Sequence, residues 1–383
     1  MKRIYLDNAS TTPIIPEVVD VMIPYLSEYF GNPSAIYLEG RNSRMAVENA
    51  RKEIALCLST YPSQIIFTSG GTEANNLALG GVIKARKIIV VISSPIEHES
   101  VLKTLYDLSS DGLIKLQMVN ITIEGVPDYF HLESLFQANV NETILVSLMH
   151  GNNETGSMID LELVGKLSKR YRAYFHTNAV QTIAYYPMAL SNSPFDLLSV
   201  SAHKFHGPKG IGFIWVRKDI GLRTMQTGGS HENGMRAGAE HVAGIVGMAK
   251  SFRLSMESYP AAIQHIQQLY MQLREGLTKI GGRVNGMRNG NGLYSILNMC
   301  FENRFQSHNL LVELDSAGIA VESSVGQSSQ VLSKLETAIV SDDIISIRFS
   351  FSRFNTSNEI FRVLSIMDYQ LNGYSVFKKA LPT

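Results

Sequence analysis

At 383 residues, 45% of them hydrophobic and 18% charged, the chain is long enough for two domains and a large core. Its 34 basic residues balance 34 acidic ones, which argues against nucleic acid or an anionic membrane as a main partner. Only two cysteines occur, Cys57 and Cys300, too few for a disulfide framework or a cysteine-based metal site. The first residues carry two basic side chains but no apolar signal region, and no run approaches the ~20 apolar residues of a membrane span. A cytoplasmic protein is expected.

In chain order, a helical pattern over 46–58 holds Cys57. From 64 to about 216 short β-rich runs alternate with helical patterns. The runs are 64–69, 87–92, 114–119, 143–148, 173–176, 195–200 and 211–216, and helical patterns at 73–84, 100–108, 131–138 and 161–172 fill several gaps. Such alternation, with nearly continuous apolar strands, predicts an α/β fold around a large, mostly parallel, seven-stranded sheet. The glycine-bearing stretch 224–238 reads as a functional loop, followed by a helix over 261–280. Beyond it the rhythm changes: strands at 293–301, 319–321 and 344–351, helices at 307–317 and 357–371. The expected division is a large α/β domain over 13–255 and a smaller α+β domain from 1–12 and 256–383.

The most telling segment is Ser201-Ala-His-Lys-Phe-His-Gly-Pro-Lys-Gly210, between two apolar runs. It reads as strand, tight polar loop, strand, with Lys204 held at the loop. A lysine there can be partly desolvated, which lowers its pKa and frees the amine to form a Schiff base with a carbonyl cofactor. Alone, the segment also fits a surface lysine in a β-hairpin. Four other segments bear on that choice. Thr68-Ser-Gly-Gly-Thr-Glu-Ala-Asn75 sits where a strand ends and a helix begins, and its glycines, free N–H groups and helix dipole suit an anion at Gly71 and Thr72. A plain glycine turn with a Ser/Thr cap reads the same way. The segment lacks the lysine of a nucleotide P-loop. His98 lies just past an apolar strand, at the edge where open α/β sheets place ligands, and could stack on a ring and move protons. Two further strand ends carry His150-Gly-Asn-Asn-Glu154 and His176-Thr-Asn-Ala-Val-Gln181.

Together these stretches, with Tyr5-Leu-Asp-Asn-Ala-Ser-Thr-Thr12, Gly31-Asn-Pro-Ser-Ala35, Gly228-Gly-Ser-His-Glu232, Arg236-Ala-Gly238 and Ile347-Arg-Phe-Ser350, run in order over nearly the whole chain. The chain resembles a cysteine desulfurase of the class V aminotransferase family, a fold type I enzyme using pyridoxal 5′-phosphate (PLP). The resemblance implies that Lys204 is the aldimine lysine and His98 the histidine stacked on the pyridine ring. It places Gly71, Thr72, Ser201 and His203 on phosphate-binding positions, Asn153 near the cofactor and Gln181 against the ring hydroxyl. Arg348 falls on the arginine that clamps the substrate carboxylate, with Asn32 assisting it. It further implies an amino acid substrate, a sulfur-acceptor protein, and a homodimer in which residues 236–239 reach the neighbour's site.

Three departures qualify this. The family's persulfide cysteine sits on a loop shortly before the Ile347-Arg-Phe-Ser350 strand, yet no cysteine follows Cys300, and Gln327 or Ser328 stands at that position. The family's aspartate beside the pyridine nitrogen is Asn178, whose neutral amide cannot balance a pyridinium charge. Arg236-Ala-Gly-Ala239 lacks a hydroxyl that the family directs at the phosphate. Three outcomes are therefore open. Sulfur from L-cysteine could leave as free sulfide; a different PLP reaction (transamination, racemisation or another elimination) could act on another amino acid; or the chain could fold, dimerise and bind partners with little turnover.

Overall fold

The structure, a computed structural model, describes residues 3–286, 292–302, 307–323 and 344–373. In chain order the strands are β1 (Ile4–Tyr5), β2 (Ile65–Thr68), β3 (Val90–Ser93), β4 (Lys115–Met118), β5 (Ile144–Ser147), β6 (Tyr174–Asn178), β7 (Leu197–Ser201) and β8 (Gly212–Val216). They continue with β9 (Arg283–Val284), β10 (Ile296–Glu302), β11 (Ile319–Ala320), β12 (Glu322–Ser323) and β13 (Ile344–Ser350). The helices are α1 (Pro16–Met22), α2 (Pro24–Ser27), α3 (Leu38–Cys57), α4 (Gly71–Arg86), α5 (Glu99–Ser110), α6 (Tyr129–Ala138) and α7 (Leu161–Arg170). The remaining ones are α8 (Val242–Lys279), α9 (Ser307–Ser316) and α10 (Ser357–Asn372).

The seven-stranded sheet runs β2-β8-β7-β6-β5-β3-β4 and is mostly parallel, with β8 alone antiparallel to its neighbours. Strand residues alternate between its two faces, as the two-residue period of a strand requires. Phe67, Ile92, Val146, Phe175 and Phe213 pack with α3, α6, α7 and the first part of α8. Ile66, Val91, Leu145 and Ile214 pack with α4 and α5. Helices on both faces explain why these strands read as continuous apolar runs.

A second sheet, β12-β13-β10-β9, carries Leu297, Met299, Ile347 and Phe349 into another apolar cluster with Ile4, Leu6, α10 and the last part of α8. The single strand predicted over 319–321 is in fact two: β11 pairs with β1, and β12 pairs with β13. The predicted helix over 261–280 begins much earlier, at Val242, and passes through Pro260. A proline inside a helix costs ~3 kcal/mol locally. Here Val242–Phe252 fill one core and Ile266–Leu277 the other, so burial at both ends outweighs that cost. Among the described residues no helix is long and apolar enough to cross a membrane.

Candidate active site

Because β2 is parallel to β7 across the intervening β8, the carboxyl ends of β2, β3, β5, β6 and β7 all lie on one edge of the sheet. Each then releases a short polar segment there, the arrangement that builds ligand crevices in open α/β sheets. A cavity of about 400 Å³ opens at this edge. Gly71, Thr72, His98, Ser201, His203 and Lys204 line it. So do Asn153, Asn178, Gln181 and Arg348, brought in from other segments. Asn32 does not: it is exposed away from the cavity lining, and its Oδ1 accepts a hydrogen bond from the Ser34 amide at 2.9 Å. The loop positions Gln327 and Ser328 lie outside the described residues.

The phosphate-type cradle is built by close approach. Gly70, with φ of 146°, turns the chain into α4, whose first amides have no partner inside the helix. A Cβ on Gly71 would come within 2.9 Å of Val180 Cγ2. One on Gly212, at the start of β8, would come within 2.9 Å of the Gly70 backbone. Glu73 accepts from the Ser69 amide at 2.7 Å and pairs with Arg236 at 2.8 Å, which clamps the turn.

Lys204 stands on a short 3-10 turn (Ala202–Lys204) directly after β7, rather than in an open hairpin loop. The Tyr185 hydroxyl donates to the Lys204 carbonyl at 3.0 Å, and Thr12 donates to the carbonyl of His203 at 2.9 Å. The Lys204 ammonium donates to the carbonyls of Ala9 and Ser10. Burial, reinforced by the positive charge of Arg348 and partly opposed by Asp7, pulls its pKa down to about 8.

His98 caps α5, and its Nδ1 accepts from the Ser100 amide at 3.1 Å. The Ser100 hydroxyl accepts from Asn75 Nδ2 at 2.8 Å and stands 2.8 Å from the same Nδ1, so it donates there. With Nδ1 accepting twice, the ring proton belongs on Nε2. Burial and the charge of Lys204 lower the His98 pKa, favouring that neutral form. Beneath it Glu97 accepts from the Met149 amide at 2.7 Å, while its other oxygen is buried without a partner among the described residues. Burial pushes this carboxyl up to about 8.

Arg348 is only 5% exposed on β13. It donates to the Asn153 carbonyl at 2.9 Å, to Asp7 at 2.8 Å and to the Ser10 hydroxyl at 2.7 Å, while its Nε is buried without a partner among the described residues. The N-terminal segment is thus part of the site. Sequence reasoning singled out 5–12 as a motif but assigned no role to Asp7, Ala9 or Ser10. Nor did it find Asn75, Ser100 or Tyr185, whose partners lie far along the chain. Cys57 and Cys300 are half-buried free thiols outside the cavity lining, and burial raises both pKa values, which disfavours thiolate.

These residues fit PLP: a glycine cradle with free helix amides for a phosphate, a desolvated lysine for a carbonyl, and buried amides for a heteroaromatic ring.

Against known proteins, residues 4–363 match the family model described as aminotransferase class-V. The chain is 40% identical over 370 residues to the putative cysteine desulfurase IscS 1 of Bacillus subtilis (strain 168), covering 94% of this chain and 96% of that protein. It is 39% identical over 380 residues to the cysteine desulfurase IscS of Dictyoglomus turgidum, covering 96% and 94%. Among solved structures it is similar to a NifS-like protein, with a TM-score of 0.90 and 33% identity over 97% of this chain and all of that one.

Proposed function

The chain belongs to the class-V aminotransferase family, and from that premise we propose that the cavity around Lys204 binds PLP and acts on L-cysteine, releasing its sulfur as free sulfide. The observation that carries the reading is the desolvated amine of Lys204 beside the buried guanidinium of Arg348, in a chain with no cysteine after Cys300. Bound there, PLP would supply an electron-withdrawing ring that acidifies the Cα–H of an attached amino acid.

The chain's own residues divide the remaining work. The first amides of α4, Thr72, Ser201 and His203 hold the phosphate. His98 would hold the face of the ring, and Asn178 and Gln181 its polar edges. Lys204 would be the base that takes and returns the Cα proton, and a pKa lowered to about 8 suits it to both directions. Arg348 binds the substrate carboxylate through donors held in place by Asp7 and Ser10. Asn32, outside the cavity lining, has no part in this assignment.

Sulfide rather than persulfide follows from the chemistry of the chain. Attack on the substrate sulfur needs a thiolate, and Gln327 and the serines beside it offer none. Loss of the Cα proton with cleavage of the Cβ–S bond then yields sulfide, and water hydrolyses the remaining three-carbon fragment to pyruvate and ammonia. Without a protein persulfide to hand on, a sulfur-acceptor protein is not required. A homodimer is supported by the apolar side chains Phe30, Ile36, Tyr37 and Leu38, all exposed near Asn32 in the sequence. A reducing, cytoplasmic setting suits two free cysteines.

The test is direct. Purified protein is loaded with PLP and its spectrum followed as each amino acid is added. A response to L-cysteine with sulfide release supports the reading. A response confined to another amino acid points to a different PLP reaction, and none at all to a binding homologue, which Asn178 favours by weakening the electron sink.

A further inference from the structure

Two buried amides face the cavity with opposite polarity, and the backbone decides which end of each is free. Asn178, 6% exposed at the end of β6, uses its Oδ1 to accept from the Val180 amide at 3.1 Å. Turned over, its NH₂ group would face that N–H donor, so the side chain is locked with Nδ2 toward the cavity it lines. Nδ2 has no partner among the described hydrogen bonds. Gln181, 8% exposed and three residues on, is locked the other way: its Nε2 donates to the Ala9 carbonyl at 2.9 Å, leaving Oε1 as the free acceptor. Thus one wall offers a donor from Asn178 and an acceptor from Gln181.

We infer that this pair selects the uncharged tautomer of a 3-hydroxypyridine ring, its nitrogen unprotonated toward Asn178 and its hydroxyl proton donated to Gln181. The inference rests on the PLP reading above and adds to it the ring's protonation state. A lone pair on the nitrogen accepts from Nδ2, whereas a protonated nitrogen would oppose two donors and leave one buried without a partner. Charge points the same way. The cations Lys204 and Arg348 line the cavity beside His98 and His203, which burial keeps neutral, and no carboxylate does among the described residues. Of the nearby acids, Asp7 is paired with Arg348, while burial favours the neutral forms of Glu97 and Glu154. Nothing in the lining offsets a pyridinium charge.

The experiment uses pyridoxamine 5′-phosphate labelled with ¹⁵N in the ring, which has no carbonyl and cannot bond to Lys204. Binding to the full chain is measured by calorimetry, and the ring ¹⁵N shift by NMR at neutral pH. The expected result is a bound probe with its nitrogen in the unprotonated shift range, and movement to the protonated range in Asn178→Asp. A bound probe with a protonated nitrogen in the wild-type protein overturns the inference while leaving the PLP site intact. Absence of binding overturns the PLP reading itself, and the inference with it. Since the wild-type measurement alone decides, a poorly folded variant does not blunt the test.

Discussion

Lys204 and Arg348 donate to the same residue: the Lys204 ammonium to the Ser10 carbonyl and the Arg348 guanidinium to the Ser10 hydroxyl, each at 2.7 Å. One residue of the N-terminal segment therefore sets the spacing between the Lys204 amine and the Arg348 guanidinium. An α-amino acid carries an amine and a carboxylate on one carbon, so under the proposed function this spacing would match such a substrate.

Replacing Lys204 with Ala is expected to abolish any borohydride-reducible link between PLP and the protein. In the wild type the rate of attachment should rise about tenfold per pH unit below the lowered pKa of about 8 and level off above it, as the neutral amine becomes the main form. A link retained in the variant, located by peptide mapping, removes Lys204 from its assigned role.

Arg348→Lys keeps the charge but loses the forked donor geometry. The KM for the amino acid substrate should rise by about tenfold or more, with a smaller change in kcat. An unchanged KM would assign carboxylate binding to another group.

Asn178→Asp should speed loss of the Cα proton, measured as exchange from deuterated water into recovered substrate, because a carboxylate can hold the ring nitrogen protonated. Exchange that is unchanged or slower would show that ring protonation does not limit this step.

Sulfur released from L-cysteine should be recovered as sulfide, with pyruvate and ammonia in equal amounts. Alanine at stoichiometric yield, or a labelled persulfide on Cys57 or Cys300, would contradict the assignment; both thiols sit half-buried away from the cavity lining.

Glu97 and His176 bound the pH range of stability from opposite sides. The Glu97 carboxyl, raised from 4.5 to about 8 by burial, stabilises the fold in its neutral form. That contribution is whole below the unfolded value and is lost as pH rises through 8, on the order of a few kcal/mol. His176, fully buried between the Ser147 and Ser199 hydroxyls, falls to about 3, so stability declines as pH drops below 6.5. Between about 4.5 and 6.5 the two effects offset, so denaturation midpoints should peak there and fall on either side, down to about 3 and up to about 8. Glu97→Gln, which copies the neutral acid, should flatten the alkaline decline; an unaltered pH profile would mean that Glu97 is ionised in the folded protein.

Much of the architecture could be read from local pattern. Strands buried on both faces are mostly apolar, so the inner members of the main sheet stand out as runs, while the edge strand Lys115–Met118 is partly exposed and mixed; the polar residues at the strand ends mark where a ligand edge lies. Chemistry, too, was partly legible: the absence of a cysteine after Cys300 and the amide at Asn178 are facts of composition and position that no folding can change. What local pattern could not decide was anything depending on distant partners. The helix through Pro260 persists because two separate cores hold it, and residues 319–323 divide between two sheets because different strands lie on either side. The roles of Asp7, Ala9 and Ser10 exist only because the N-terminal segment crosses a turn almost 200 residues away and meets Lys204 and Arg348 there. The orientations of Asn178 and Gln181 belong to the same class. An amide is symmetric in outline, and only a neighbouring N–H or carbonyl, placed by the fold, determines which end it presents.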